Sequence, residues 1–599
     1  MRIGYEKVCL KDGFWRDVRE KNARVSLMNV YRRFAETGRF DAIRCEKREK
    51  PPHIFYDSDV AKWLEAAAYL QRDYPDEEVA SIIRGTVRTI VANQLPCGYF
   101  NSYYQVYRRD RIFMERTEHE LYCAGHLIEA AVALDACGVD GTLLPAMEKY
   151  ADYIRERFMI RRDTGFTTCG HPEIELALVR LYAHTGKKKY LELAEFFLNE
   201  RGRREEPIYD WADHAYDQSH LPVRQQREAV GHAVRALYLY CAMADVGRLT
   251  GDAELLSACR ALFDDIVKHK LYVTGGVGSG WFGERFTLSY DLPNAEAYAE
   301  TCAGIALILF CERLADAGNR SAYHAAVERA LYNNVLAGES LDGKGFFYVN
   351  PLEADAACAA YARSVPGIPF KPLLQRVEVF DCSCCPPNLV RLFAQVGGLI
   401  YGEEDGVLCV DQYISSQTDA CGMRVCMTSQ LPYEGSVGVS VSGEGTIAFR
   451  VPVWSTGIAC TVNGAQVVPE VRDGYFSLRV AGETAIAIDF MMRPRFVYAH
   501  PAVRADSGRK AVEYGPFVLC AESCDNGGRL YDVSIPSLDG AKTVRTAEGV
   551  RLEVPALRSA EDGALYRYQP SAKEPCTLAL IPYYAWANRG EGDMQIWFL

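Results

Sequence analysis

Residues 380–388 read FDCSCCPPN, three thiols in four positions followed by two prolines. Thiols placed this way can pair as disulfides, hold a soft metal or act as a nucleophilic thiolate. Cys385 precedes Pro386, which favours extended backbone at the cysteine. Pro387 suits the first turn of a helix, and NLVRLFAQVGGLIY continues with helical spacing. Cys384 and Cys385 are therefore expected at or just before a helix N-terminus, where the backbone dipole favours a thiolate. Adjacent cysteines bridge each other only with strain, which argues against a disulfide here.

A second group lies upstream in AETCAG (299–304). Glu300 and Cys302 are two positions apart, which on a regular helix turns them about 200° from one another. They can share one ligand only if a helix begins between them, and the apolar run Cys302, Ile305, Ala306, Leu309 reads as a helix starting here. Taken alone, the pair is a surface glutamate beside a core cysteine. Taken with Cys384 and Cys385, it completes a chemically sound zinc site of three thiolates and a carboxylate. The two halves are far apart in the chain and form no standard zinc signature.

Of the eleven histidines, His126, His171 and His232 each follow a glycine and precede a helical run. One such histidine is ordinarily structural. Three in the same setting suggest helix starts facing a common cavity, where neutral imidazoles would suit hydroxyl groups. Gly278-Ser-Gly280-Trp-Phe-Gly283 matches the dinucleotide fingerprint, but ERFTLSYDLP after it reaches Pro293 without helical periodicity. No phosphate-holding helix can begin there, and there is no lysine for a P-loop. The stretch is read instead as a close-approach loop that presents Glu284.

The positioning elements change character along the chain. From about residue 15 to 400 the apolar spacing is helical, as in LYCAGHLIEAAVAL (121–134), EIELALVRLYAHTG (173–186) and AVGHAVRALYLYCAMADVGRLTG (229–251). Many helices of similar length joined by short loops make either a solenoid or a closed α/α toroid, and the lack of a fixed-period repeat favours the toroid. After about residue 402 the segments are short, β-branched and partly alternating, with a hairpin signal at Asn463-Gly464. They are read as β-sandwiches. A chain of 599 residues is too long for one core. The net charge of −12, without a long basic run, disfavours nucleic acid and anionic membranes as partners. Twenty-one cysteines in no framework spacing suit a reducing compartment, most of them as small buried hydrophobes. With no secretory signal at the start and no membrane-length apolar run, a cytoplasmic location is expected.

Together, GERFTLSYDLPNAEAYAETCAG, HELYCAGHLIEAA, GHPEIELALVRLY, AVGHAVRALYLY, FFYVNPLE and CCPPN resemble glycoside hydrolase family 127, whose founding activity is β-L-arabinofuranosidase. The motifs occur in the family's order across most of the helical part; over the β-rich third only the texture matches. The resemblance implies a mainly α fold with β: an (α/α)6 barrel followed by C-terminal β-sandwiches. The expected domains are 11–402 for the barrel, 403–500 and 501–599 for two sandwiches, and 1–10 for a segment joining the last sandwich. It implies Cys384 as nucleophile, Glu284 as general acid/base, and Glu300, Cys302, Cys384 and Cys385 as zinc ligands. His126, His171, His232 and Tyr348 become sugar contacts, and Cys382 has no assigned role. The expected partner is a small oligosaccharide or glycoside, with a homodimer as an allowed assembly. Two alternatives stay open: the same mechanism on a different sugar, and a carbohydrate-binding protein with a purely structural zinc.

Overall fold

The computed structural model describes residues 1–366, 373–546, 549–560, 563 and 565–599. The periodic segments form the helices Glu120–Ala136, Ile174–Thr185 and Ala233–Thr250. The last two stop at Gly186 and Gly251, in the left-handed conformation with φ of 71° and 72°, where a side chain would strain the backbone.

With Tyr56–Asp73, Thr301–Ala315 and Cys385–Ala394, these make six helices that pack each on the next in chain order, and Cys385–Ala394 returns to Tyr56–Asp73. They are buried almost all round; every residue from Glu120 to Leu134 is buried, as expected of helices apolar on every face. Outside them lie Glu77–Asn93, Leu143–Arg155, Lys188–Glu200, Ala253–Asp265 and Arg320–Ala330, each against the inner helix that precedes it. These bury one stripe only, such as Val79, Ile83, Val87 and Ile90. No helix among the described residues is long and apolar enough to cross a membrane.

Inside the ring the helices are tied by charge. Arg391 Nη1 donates to Glu65 Oε2 at 2.8 Å and to Glu129 Oε2 at 2.9 Å, and Arg391 Nη2 to Tyr238 Oη at 3.1 Å. Arg180 Nη1 donates to Glu65 Oε1 at 2.6 Å, and Arg313 Nε to Asp245 Oδ2 at 2.7 Å. These bonds join all six inner helices.

The β-rich remainder forms two sheets, each of nine strands among the described residues. In the first, Ser436–Arg450 pairs antiparallel with Tyr475–Phe490, and the Asn463-Gly464 turn connects Ile458–Val462 to Ala465–Val467. Both turn residues have positive φ, 50° and 81°, as a tight primed hairpin requires. Two expectations are corrected. Val8–Leu10 pairs with Ser416–Ala420, so the N-terminal segment completes the first sheet, not the last. Pro494–Val497 already pairs with Ala511–Tyr514, so the second sheet takes up the chain before residue 501. Strand partners are chosen by unpaired edges in space, which local sequence does not encode.

The helical and β parts meet over buried charge. Arg320 Nε donates to Asp411 Oδ1 at 2.8 Å, Tyr475 Oη to the same oxygen at 2.6 Å, and Arg450 Nη2 to Glu328 Oε1 at 2.7 Å. Replacing Asp411 with alanine leaves the Arg320 guanidinium buried without its counter-ion. That loss should cost about 3–5 kcal/mol and lower the urea midpoint followed by tryptophan fluorescence; an unchanged midpoint would contradict the assignment.

Candidate active site

Three of the six inner helices begin at residues the sequence singled out: His232, Glu300 and Cys384. The six N-caps are Phe55, His119, Glu173, His232, Glu300 and Cys384. Five of these, all but Glu173, line one cavity of about 340 Å³ together with His171, Tyr122, Arg235, Glu284, Cys302 and Tyr348. The helix after Glu300 starts at Thr301, with Glu300 in extended backbone (ψ 138°), so Glu300 and Cys302 fall on the same side. Their turn is clamped: Asn334 and Asn350 donate to the Ala299 carbonyl at 3.0 and 2.9 Å, and the Thr301 amide to the Tyr348 carbonyl at 2.9 Å. A Cβ at Gly304 would collide with Asn334 Oδ1, which explains the glycine that closes AETCAG.

At the other half, Cys385 is already helical and Cys384 caps it in αR conformation. The expected extended backbone at Cys385 is therefore corrected. The bias before proline is steric and can be overcome, and Pro386 and Pro387 occupy the first turn, where missing N–H groups cost no helical bond.

Glu300 Oε1 lies 3.5 Å from Cys385 Sγ and 3.6 Å from Cys384 Sγ; Cys384 Sγ lies 3.6 Å from Cys302 Sγ and 3.8 Å from Cys385 Sγ. A tetrahedral ion bound at ~2.3 Å to sulfur and ~2.0–2.2 Å to oxygen sets edges of roughly 3.8 Å and 3.5 Å. These four separations are close to those edges, and all four donor atoms lie within 4.8 Å of one another. Glu300 Oε2 is buried with no hydrogen-bond partner, and among the described residues no Lys or Arg forms an ion pair with Glu300. Burial, then the charge on Cys384 and on Glu284, push the Glu300 carboxyl well above the carboxylate range. Burial opposes ionisation of Cys302 too, but hydrogen bonds from Cys384 and Cys385 bring it down to about 6. Acids crowded in this way ionise together only beside a cation, so the group fits a divalent metal. Cys384 is its one member that is not fully buried.

Glu284 is brought to the cavity by a two-residue ladder in which His232 pairs with Arg285 and Gly231 with Phe286. Gly231 must be glycine: its φ is 70°, and a Cβ would strike the Ala215 carbonyl. Glu284 itself has φ 52°, a strained conformation for a side-chain-bearing residue. The His232 ring caps its own helix, Nδ1 accepting from the Val234 amide at 3.2 Å. Nδ1 is thus the acceptor, the proton sits on Nε2, and Nε2–H donates to Glu284 Oε2 at 2.8 Å. Burial would raise the Glu284 carboxyl, but the His232 and Tyr298 hydrogen bonds and the Arg235 charge hold it below its usual range. His171 has the opposite tautomer, since its Nδ1 lies 3.0 Å from the Pro172 carbonyl, which can only accept. Burial depresses both imidazoles, which are neutral.

Of the residues singled out, Tyr348 stands with its hydroxyl 3.2 Å from Cys384 Sγ. His126 does not share the setting of the other two. It lies inside the Glu120–Ala136 helix, fully buried, with Nδ1 3.0 Å from Glu173 Oε1. Its preceding glycine serves packing, a Cβ there meeting Glu173 Cγ at 2.6 Å. The Gly-His pattern thus has three causes: a helix cap at His232, a close contact with Glu173 at Gly125, and at Gly170 a close approach to the Arg116 carbonyl. His119, Tyr122, Arg235, Trp211 and Trp281 line the cavity without having been singled out. The left-handed φ of His119, 61°, has no signature in a residue that is not glycine or asparagine.

Residues 7–398 match the family description "Beta-L-arabinofuranosidase, GH127 catalytic domain", 407–493 the family's middle domain and 494–599 its C-terminal domain. The chain belongs to glycoside hydrolase family 127. It is 37% identical over 592 residues to a protein of Bifidobacterium longum subsp. longum described as a non-reducing end beta-L-arabinofuranosidase, covering 91% of this chain and 89% of that one. A solved GH127 beta-L-arabinofuranosidase from Geobacillus stearothermophilus T6 superposes with a TM-score of 0.93 at 37% identity over 99% of both chains. A second GH127 structure, titled a beta-arabinofuranosidase, gives 0.90 at 31% identity over 100% of this chain and 97% of its own. The glycoside-hydrolase family and the cavity agree in kind, because neutral histidines, tyrosines and one arginine are hydrogen-bonding groups suited to a polyhydroxylated ligand.

For this family 127 chain the metal fit is directly measurable. Elemental mass spectrometry of the purified protein should find about one divalent transition metal per chain, and the double variant Cys302→Ala, Cys385→Ala close to none. A metal-free wild-type protein that is fully folded would exclude the site.

Proposed function

We propose that this chain is a retaining glycoside hydrolase releasing terminal β-L-arabinofuranose, or a similar pentose-like sugar, from a small oligosaccharide or glycoside. Its nucleophile is Cys384, its acid/base Glu284, and its metal zinc on Glu300, Cys302, Cys384 and Cys385. The observation that carries this reading is that Cys384, alone of the metal-capable group, is not fully buried, while Glu300 neighbours both Cys384 and Glu284. The closed order of inner helices supports an (α/α)6 barrel around that site, and the two β-rich domains are read as sandwiches packed against it.

Zinc, when bound, would keep the Cys384 sulfur ionised at neutral pH. In the first step Glu284 gives its proton to the glycosidic oxygen as Cys384 Sγ bonds to the anomeric carbon and the carbon–oxygen bond breaks. In the second, Glu284 takes a proton from water, the water oxygen bonds to the same carbon, and the carbon–sulfur bond breaks to restore the thiolate. Two inversions give net retention. Once Cys384 is a thiolate, the Tyr348 hydroxyl is its natural hydrogen-bond donor. His171, through its acceptor Nε2, and Arg235 offer complementary partners to sugar hydroxyls, and His232 has its Nε2–H on Glu284.

A second reading has one observation in its favour: the group offers four protein donors within reach of one ion, the number a closed structural zinc site uses. Chemistry would then fall to Glu284 with another carboxylate. Trapping decides between them. A mechanism-based arabinofuranosyl reagent should label the peptide carrying Cys384, whereas a label on Asp or Glu rules the thiolate out. Cys384→Ser should lose turnover by ~10⁴-fold or more. Activity on a β-L-arabinofuranoside near wild type in that variant would refute the nucleophile.

The pH profile tests Glu284. Its acid form is the one needed for the first step, so kcat/KM falls as pH rises through its pKa. The His232 donor stabilises the carboxylate and holds that pKa down. His232→Ala should therefore move the alkaline limb of the residual activity to higher pH. A limb that stays in place, or moves down, would show that Glu284 is not the titrating acid.

A further inference from the structure

The Tyr56–Asp73 helix buries a lysine. Lys62 is 1% exposed, and its Nζ donates to Tyr122 Oη at 2.6 Å. The acids one turn away on the same helix are taken by arginines, Asp59 by Arg39 at 2.7 Å and Glu65 by Arg180 and Arg391 at 2.6 and 2.8 Å. Among the described residues no Asp or Glu forms an ion pair with Lys62, and its hydrogen-bond partner is a hydroxyl on the wall of the main cavity. We propose that Lys62 is a positioning residue: its ammonium turns the Tyr122 hydroxyl into a one-way hydrogen-bond donor aimed at a single hydroxyl of the sugar. The inference rests on the reading of this cavity as the sugar site.

The direction follows from what each group can give and take. An ammonium has three N–H donors and no acceptor, so Tyr122 Oη must accept from it. The phenol's own proton cannot then point at Lys62. Among the described residues it has no protein acceptor, and Tyr122 lines the cavity, which leaves the bound ligand to receive it. A tyrosine without such a neighbour gives or takes a hydrogen bond as its O–H turns. Here the sense is fixed, and the 2.6 Å separation is short, as bonds from ionised donors are. Away from water, such a bond also polarises the O–H beyond it and strengthens the next bond in the chain.

The acceptor is a hydroxyl because of what stands beside Tyr122. The His171 ring lies 4.3 Å away, centroid to centroid, and its Nε2 is an acceptor, since Nδ1 gives its proton to the Pro172 carbonyl. A hydroxyl held by both takes a proton from Tyr122 and gives its own to His171, so each of its capacities is used in one sense. The Tyr348 hydroxyl is set on Cys384 Sγ at 3.2 Å, and Arg235 can only donate. A donor at the ring oxygen would oppose the positive charge that gathers there as the glycosidic bond breaks.

The test compares methyl β-L-arabinofuranoside with its 2-, 3- and 5-deoxy analogues. The penalty for each missing hydroxyl is kcat/KM for the parent divided by that for the analogue, and intrinsic reactivity cancels when penalties are compared between protein variants. One of the penalties should shrink about tenfold in both Tyr122→Phe and Lys62→Met, while the others stay within about twofold. Lys62→Met should cost less than about twofold further in the Tyr122→Phe background, because the lysine acts through that hydroxyl. Lys62→Arg, which keeps a donor-only cation, should retain the selective penalty. Where Lys62→Met does not fold, Lys62→Gln, neutral and able to take the Tyr122 proton, serves in its place. Penalties that fall together, a neutral Lys62 variant that leaves them all unchanged, or full additivity with Tyr122→Phe overturns the proposal. Equilibrium binding of the same glycosides to the Cys384→Ser variant repeats the comparison without turnover. If the wild-type protein cleaves none of them but binding shows the selective, Lys62-dependent loss, the activity reading fails and the Lys62 assignment stands; no binding overturns both.

Discussion

Five of the six inner helices open into one cavity, and the chemistry depends on that convergence. Each helix start carries unsatisfied N–H groups, equivalent to roughly half a positive charge. Phe55, His119, His232, Glu300 and Cys384 cap helices there, and the groups held among them include two carboxylates and three thiols. Partial charges fixed in the backbone favour ionised forms without filling the cavity with lysine or arginine side chains. A site that must hold a sulfur anion and still admit a neutral sugar benefits from that economy of space. The polarity follows from the packing order: each inner helix is returned by an outer one, so successive inner helices run the same way.

Convergence of acids carries a cost that the surroundings meet in two ways. At the metal-capable group, four donor atoms lie within 4.8 Å of one another, so a cation held among them can offset the repulsion that drives the Glu300 carboxyl up. Deeper in the ring, Arg391 and Arg180 neutralise Glu65 and Glu129 and pin neighbouring helices together. His126 and Glu173 belong to that deeper layer. There His126 Nδ1 lies 3.0 Å from Glu173 Oε1, and the Arg391 and Arg180 bonds tie the neighbouring helices together. Backbone strain at Glu284 and Ala299, with φ of 52° and 41°, sits directly beside the reacting groups, held by the short ladder and by the two asparagine side chains.

Much of this was legible from residue types and spacing. The helical period from about residue 15 to 400, the helix stops at Thr-Gly, the Asn-Gly hairpin and the shift to β texture are local properties, set by side-chain burial and backbone preference over a few residues. The Glu-x-Cys and Cys-Cys-Pro-Pro segments could be read as halves of one metal-capable group because three thiols and a carboxylate together make a sound zinc donor set. The glycine-rich stretch before Glu284 could be separated from a nucleotide loop because a required helix was missing after it.

What local spacing could not supply was proximity. That Val8–Leu10 completes the first sheet and not the last, that His126 faces a buried glutamate while His171 and His232 reach the cavity, and that His119 joins them are matters of which elements become neighbours. A glycine before a histidine has the same spelling whether it eases a cap or a helix crossing. The tautomers of His171 and His232 depend on a carbonyl and an amide within a few ångströms, and Glu284 and Tyr348, 64 positions apart in sequence, border the same cavity. Sequence carries the chemical capacity of each group and its short-range geometry; long-range packing, which sums many weak apolar contacts over the whole chain, assigns each group its neighbours and so its role.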